Sequence, residues 1–225
     1  RKIISSSPLQ LSKHVSKSGK TPLHWAAMQE APLDVVETLL QSNEKACAVK
    51  DKKGKLPLHH ATANKASFEV VERLLTVYPD GVMTNTDDYL LPLHCALWHR
   101  ASSEVIMSLL KSYPEGASFR YSNKSLPLHF AAHNQASVEV VKELLLNFPE
   151  GAKEKNSDML LPLHYAARGQ APLDVVETLL QSNERAAKEK DKTGKLPLHY
   201  AAAKKASLEV VERLLASNPD GVKEK

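Results

Sequence analysis

The chain has 225 residues, of which 42% are apolar and 25% charged, the proportions of a polypeptide able to build a folded core. Aromatic residues make up only 5%, so that core is expected to rest on Leu, Val and Ala. No run approaches the roughly 18 consecutive apolar residues of a membrane span, no secretory leader is read at the start, and the composition is neither collagenous nor disordered.

The two cysteines, Cys47 and Cys95, are far apart and form no CxxC pair. That excludes a disulfide framework and a cysteine-based zinc site. It fits a reducing compartment, and a cytoplasmic location is expected. A secreted or delivered chain whose leader is missing from this sequence would read the same way.

In chain order, residues 1–15 come first. Ile3-Ile4 and Pro8 repeat the spacing of Leu74-Leu75 and Pro79, so this stretch reads as the tail of a preceding unit. The tripeptide Pro-Leu-His then begins at Pro22, Pro57, Pro92, Pro127, Pro162 and Pro197, in steps of 35 residues. A period between about 20 and 50 residues marks a stacked array. The units are 16–50, 51–85, 86–120, 121–155, 156–190 and 191–225, called repeats 1 to 6 below. The whole is expected to be one continuous solenoid domain rather than separate globules.

Each unit reads as helix, turn, helix and hairpin-like turn. In repeat 6, Pro197-Leu198-His199-Tyr200-Ala201-Ala202 opens a short helix, with Pro at the first helical position, where no amide hydrogen is needed. Paired alanines at Ala26-Ala27, Ala131-Ala132 and Ala166-Ala167 are small enough for close helix approach. A Ser or Pro start such as Ser207 or Pro172 follows, then a second helix with the apolar stripe Val210, Val211, Leu214 and Leu215. That helix is expected to stop at Pro219-Asp220-Gly221, with the glycine taking left-handed dihedrals. The stretch Asp191-Lys192-Thr193-Gly194-Lys195 reads as the turn at the tip between units.

These residues resemble the ankyrin repeat. The family pattern is matched by Gly19-Lys20-Thr21-Pro22-Leu23-His24-Trp25-Ala26-Ala27 with Val35, Val36, Leu39 and Leu40, and the resemblance covers residues 16–225. It implies an all-α solenoid of stacked helix-turn-helix units joined by hairpin-like turns. It also implies that the motif histidines His24, His59, His94, His129, His164 and His199 bond backbone across units. Departures are visible. The period exceeds the usual 33 or so. Leu56, Leu91, Leu126, Leu161 and Leu196 replace the motif Thr, whose hydroxyl in the family caps the first helix and bonds the His. The tip glycine, kept at Gly19, Gly54 and Gly194, becomes Tyr89, Lys124 and Met159 in the middle units. Asp88, Asn123 and Asp158 precede those replacements and are expected to take the left-handed position instead, giving the middle tips a different shape.

Residues 31–44 and 171–184 are identical, and 51–85 closely resembles 191–225. A duplicated super-repeat of four units is therefore expected, in an array that continues beyond this chain.

Nothing in the sequence asks for catalysis, a cofactor or a metal. His129 and His133 have the i, i+4 spacing of zinc ligands but lack the glutamate of HExxH. There is no phosphate loop and no GxSxG. Glu69, Glu72, Glu209 and Glu212 read as a solvated outer face with partners such as Arg73 and Arg213 on the same helix. Of the net charge of +4, residues 1–15 carry +3. The tips are basic at the ends (Lys17, Lys20, Lys52, Lys53, Lys55, Lys192, Lys195) and acidic in the middle (Asp87, Asp88, Asp158), not a continuous stripe for nucleic acid.

Ankyrin arrays are similar in use as well as in fold, which implies a protein or peptide partner on a concave face of tips and first helices. Positions that only hold the fold should repeat; variable ones are free for recognition. Position ten of the unit (Trp25, His60, Cys95, Phe130, Tyr165, Tyr200) is mostly large and reads as core between units. The end of the first helix varies, and repeat 3 stands apart with Asp87-Asp88-Tyr89 on its tip and Trp98-His99-Arg100 on its helix. The expected contacts are Asp87, Asp88, Tyr89, Trp98, His99, Arg100, His133, Asn134 and Arg168, since Trp, Tyr and Arg dominate binding hot spots. Packing of Trp98 beside Leu97 at the inter-helix turn is the competing reading. The expected function is a non-enzymatic interaction module or scaffold, monomeric and without membrane or nucleic-acid partners. The alternatives are the targeting segment of a larger enzyme, such as a kinase or ubiquitin-ligase assembly, and a spacer that stacks head to tail.

Overall fold

The computed structural model describes residues 15–223, which contain twelve α-helices and no strand. The partial unit expected over 1–15 lies, apart from Val15, outside the described residues. The chain divides into two compact units, residues 1–113 and 114–225. The first holds α1 (Pro22–Met28), α2 (Leu33–Ser42), α3 (Pro57–Ala63), α4 (Phe68–Val77), α5 (Pro92–Trp98) and α6 (Ser103–Ser112). The second holds α7 (Pro127–His133), α8 (Val138–Asn147), α9 (Pro162–Gly169), α10 (Leu173–Ser182), α11 (Pro197–Ala203) and α12 (Leu208–Ser217). Within each unit, first helices pack on first helices and second on second: α1, α3, α5 and α2, α4, α6 in one; α7, α9, α11 and α8, α10, α12 in the other. This is an all-α ankyrin-repeat solenoid architecture.

The sequence explains each boundary. Proline occupies the first position of every short helix. Each ends in a left-handed residue, one per repeat: Glu30, Lys65, Arg100, Gln135, Gln170 and Lys205. The following alanine amide then donates to a carbonyl five residues back, as in Ala66 to Ala61 and Ala101 to Ala96, at 3.0 and 2.9 Å. Second helices start at Ser or Pro, and Ser67, Ser102 and Ser207 accept from the amides of Val70, Val105 and Val210. After most second helices comes a 3-10 turn such as Pro79–Met83 or Pro149–Lys153. The glycine of that turn is not left-handed, contrary to the expectation for Gly221; the positive-φ glycines are Gly19, Gly54 and Gly194. Close approach is its physical reason, since a Cβ on Gly81 would lie 3.1 Å from the Tyr78 ring.

Replacing the motif Thr by Leu leaves half of the helix start intact. At Thr21 the hydroxyl and amide both donate to His24 Nδ1, at 2.8 and 3.0 Å, and the His24 amide points back to the hydroxyl. At Leu56, Leu91, Leu126, Leu161 and Leu196 only the amide bond to the His Nδ1 remains, at 3.0–3.2 Å. Those leucines are almost wholly buried, 0–1% exposed. Losing an N-cap costs about 1 kcal/mol, whereas burying a leucine side chain contributes about 1.5–3 kcal/mol. Burial wins.

The other ring nitrogen links the repeats. Nε2 of His24, His59 and His129 donates at 3.1 Å to the carbonyls of Lys55, Leu90 and Leu160, each 31 residues on. Both bonds at once require a neutral imidazole with its proton on Nε2. Burial holds the rings neutral, pushing His59, His129 and His164 down to about 4 and His24 down as well. Because these pKa values lie below the unfolded value, their stabilisation is complete above pH 6.5 and drains away as pH falls towards 4. Asp191 adds a second loss at lower pH; burial alone would raise its pKa, but hydrogen bonds from Tyr200 and from the Lys195 and Thr193 amides hold it at about 2. Urea midpoints measured from pH 7 down to about pH 5.5, above the ordinary carboxylate range, should therefore fall; a flat profile over that range would contradict neutral buried rings.

Candidate functional site

The tips are rigidly built. In repeat 2, Asp51 is 5% exposed and its Oδ1 accepts from the Lys53 and Lys55 amides at 2.9 and 3.0 Å. Burial alone would raise its pKa; hydrogen bonds from His60, those two amides and Lys20 more than reverse this and hold it well below the usual carboxylate range. Asp191 and Asn156 do the same work in repeats 6 and 5. Consecutive tips are bonded through backbone: Lys52 to Ser18 and Asp87 to Lys53 in the first unit, Ser157 to Asn123 and Lys192 to Asp158 in the second.

Positions one and ten of a repeat are paired, a relation that the sequence reading missed. His60 Nε2 donates to Asp51 Oδ2 at 3.0 Å, Asn156 Nδ2 to Tyr165 Oη at 3.0 Å, and Tyr200 Oη to Asp191 Oδ2 at 2.5 Å. Tyr121 and Phe130 replace polar pairing with an edge-on ring contact at 6.0 Å. The ring at position ten also meets the motif His of the preceding repeat: His24–His60, His129–Tyr165 and His164–Tyr200 are T-shaped at 5.2–6.0 Å. Position ten is thus packed between repeats, with Cys95 and Phe130 buried as well. Trp25 departs from this at 47% exposure. The pairing was visible as residue types varying together at nine-residue spacing.

The tip expectation needs correction. Tyr89, Lys124 and Met159 are themselves left-handed, with φ of 61°, 63° and 61°, in the place Gly19, Gly54 and Gly194 hold elsewhere. Asp88, Asn123 and Asp158 do not take that role. Nor do the middle tips change shape: the amide of the left-handed residue donates to the carbonyl three back in all six repeats, at 2.7–3.0 Å. That bond, not the residue type, sets the dihedral. The side chains so placed are exposed, Tyr89 by 58% and Met159 by 42%.

The outer face is also organised differently from expectation. Arg73 and Arg213 pair with Glu37 and Glu177, one repeat back, at 2.8 and 3.9 Å, rather than with glutamates of their own helices. Glu72 accepts from the Ser108 hydroxyl of the next repeat. Second helices stand side by side, so a partner across the groove is nearer than one along the helix.

In the first unit Asp87, Asp88, Tyr89, Trp98, His99 and Arg100 are all exposed, with Trp98 at 47%, while Leu97 beside it is buried at 2%. In the second unit Arg168 is exposed, whereas His133 and Asn134 are half-buried. His133 packs edge-on against Tyr165 at 5.9 Å. Its backbone carbonyl lies where a Cβ on Gly169 would be, which explains a glycine beside Arg168. No group of His, Cys, Asp and Glu among the described residues could hold a metal. No described helix is long and apolar enough to cross a membrane. Cys47 and Cys95 are free and buried, and burial pushes their thiols up to about 12 and about 11.

Repeat 6 presents a groove of about 350 Å³ lined by Leu198, His199, Ala202, Val211, Leu215, Gly221 and Val222. The equivalent residues of repeat 2, among them Leu58, His59, Val71, Leu75 and Val82, are at most 7% exposed beneath the helices of repeat 3.

Two family models match, described as "Ankyrin repeats (many copies)" over residues 23–75 and "Ankyrin repeats (3 copies)" over residues 128–224. The chain belongs to the ankyrin repeat family. No curated protein matches it. Among solved structures, it is similar to a chain of a predatory endopeptidase from Bdellovibrio bacteriovorus in complex with an immunity protein. The TM-score is 0.72 at 21% identity, over 90% of this chain and 99% of that one.

A non-glycine residue in the left-handed region carries strain of about 1 kcal/mol. Tyr89→Gly and Met159→Gly should each stabilise the fold by about 0.5 kcal/mol, after the entropy that glycine loses on folding. Chemical denaturation checks this; a loss of stability would show that those side chains support the fold rather than the surface.

Proposed function

We propose that this chain is a non-enzymatic interaction module that holds a protein or peptide partner on its tips and first helices, centred on repeat 3. Ankyrin repeats are protein–protein interaction modules. The observation that carries the reading for this chain is Trp98: 47% exposed at the end of a helix whose other residues are buried, with Tyr89, His99 and Arg100 exposed on the same repeat. A half-exposed large aromatic leaves more apolar area in water than Ala or Asn would at that place. In the second unit Arg168 is exposed, while His133 and Asn134 are better read as supports of the loops around them. His24, His59 and His129 are committed at both ring nitrogens to structural bonds. A cytoplasmic setting remains part of the proposal.

Trp98→Ala should weaken partner binding at least tenfold, equivalent to about 1.4 kcal/mol, with helicity unchanged. Affinity capture with mass spectrometry supplies the partner, and titration against wild type and variant supplies the number. Equal binding with reduced stability would return Trp98 to the core.

A second reading, self-stacking, is favoured by the groove on repeat 6, whose lining is apolar and whose counterpart in repeat 2 is covered. Light scattering that rises with concentration, and is suppressed by Leu215→Glu, would support it; a constant monomer mass would not.

A further inference from the structure

Six residues, one per repeat, hold left-handed dihedrals at the inter-helix loops, each at a cost in strain. In the second unit that cost is offset within the fold. The Gln135 side-chain amide donates to the Gly169 carbonyl at 2.9 Å, and that of Gln170 to the Lys204 carbonyl, so each glutamine staples its loop to the next. In the first unit the same positions carry Lys65 and Arg100. Neither side chain makes a hydrogen bond or ion pair among the described residues, and both are exposed.

They do not stand alone. Lys55, at the base of the repeat 2 tip, also has no carboxylate partner among the described residues. The exposed His99 imidazole is pushed down by burial and then by the charges of Lys55 and Lys65. No carboxylate contributes at that ring. Trp98, exposed, precedes His99 at the end of α5. At the opposite end of the same helix, the tip carries exposed Asp87 and Asp88. The first-helix face of repeats 2 and 3 therefore carries exposed Lys65, Arg100 and Trp98 at its loops, while at its tips Lys52 and Lys53 of repeat 2 stand beside Asp87 and Asp88 of repeat 3.

We propose that this face recognises a peptide segment whose acidic residues lie against Lys65 and Arg100 and whose apolar side chain covers Trp98. The proposal rests on the interaction-module reading above and adds the chemistry of the partner. Like charges kept together without partners cost the isolated fold and are relieved by a ligand of opposite sign. A nucleic-acid strand fits less well, because it is uniformly anionic and its backbone would pass Asp87 and Asp88.

The test is selection of a random peptide display library on the immobilised full chain. Selected peptides are then titrated against wild type, Trp98→Ala and the charge reversal Lys65→Glu with Arg100→Glu, which alters exposed side chains only. The expected result is binders lost with Trp98→Ala and enriched in Asp and Glu. Their affinity should fall at least about tenfold in the double reversal and weaken with added salt. Binders that need Trp98 but show no acidic excess and ignore the reversal would overturn the acidic-segment proposal while leaving the module reading intact. Binders indifferent to Trp98→Ala would overturn both. Single-stranded RNA that bound more tightly than the best acidic peptide would also overturn the proposal, and in favour of a nucleic-acid surface.

Discussion

The architecture depends on the motif imidazole, which at His24, His59 and His129 is used at both of its nitrogens. Nδ1 accepts the amide that opens the first helix, and Nε2–H reaches the carbonyl at the end of the next tip. A neutral ring with a single tautomer satisfies both, and a protonated ring cannot accept. Local helix capping and long-range stacking are thus the same interaction. It makes the unit self-consistent: the residue that starts the helix also positions the neighbour against which the helix packs. The Leu at the cap position adds burial where the family's hydroxyl is lost, and the proline beside it removes an amide that would have gone unmet.

With that spine constant, variation falls where it does not disturb the spine. The clearest case is the pair at positions one and ten. Asp51 with His60, Asn156 with Tyr165 and Asp191 with Tyr200 solve the same problem, tying the tip to the helix, with different chemistry. Tyr121 and Phe130 solve it with rings alone. The inter-helix loops vary in the same manner, and there the two units diverge. Gln135 and Gln170 turn their side chains inward to staple loops, while Lys65 and Arg100 leave theirs to solvent. A position that one unit uses for cohesion is released in the other for charge.

The fold was legible because its determinants are periodic: six Pro-Leu-His starts, the alanine pairs and the Val-Val stripe all return at one spacing, and the two helices per repeat follow. Most of the candidate surface was legible as the failure of that period in repeat 3. Three features were hidden, each for a physical reason. The left-handed residue at Tyr89, Lys124 and Met159 is imposed by an amide bond back to the start of the turn, so the preference of Asp88 or Asn123 for such dihedrals never decided the matter. The partners of Arg73 and Arg213 lie across the groove between helices, which spacing along one helix does not reveal. The nearness of the Lys65 loop to the Trp98 and Arg100 loop joins residues more than thirty positions apart, and only packing brings α3 against α5.

Two apolar exposures compete as sites of partner binding, and comparison between repeats separates them. The groove on repeat 6 has buried counterparts in repeat 2, so its lining is what any repeat needs in order to be stacked upon. Its exposure reflects position in the array. Trp98 has no such counterpart: Met28, Ala63 and His133 at the same place are only half-buried, and Arg168 and Ala203 are exposed. The stack covers that position at most in part. A tryptophan there is therefore not a core residue uncovered by circumstance but a side chain that the array holds at its surface, flanked by cations that the fold leaves unpaired. The groove matches what one repeat offers the next, whereas Trp98 is the side chain on which the proposed partner would sit.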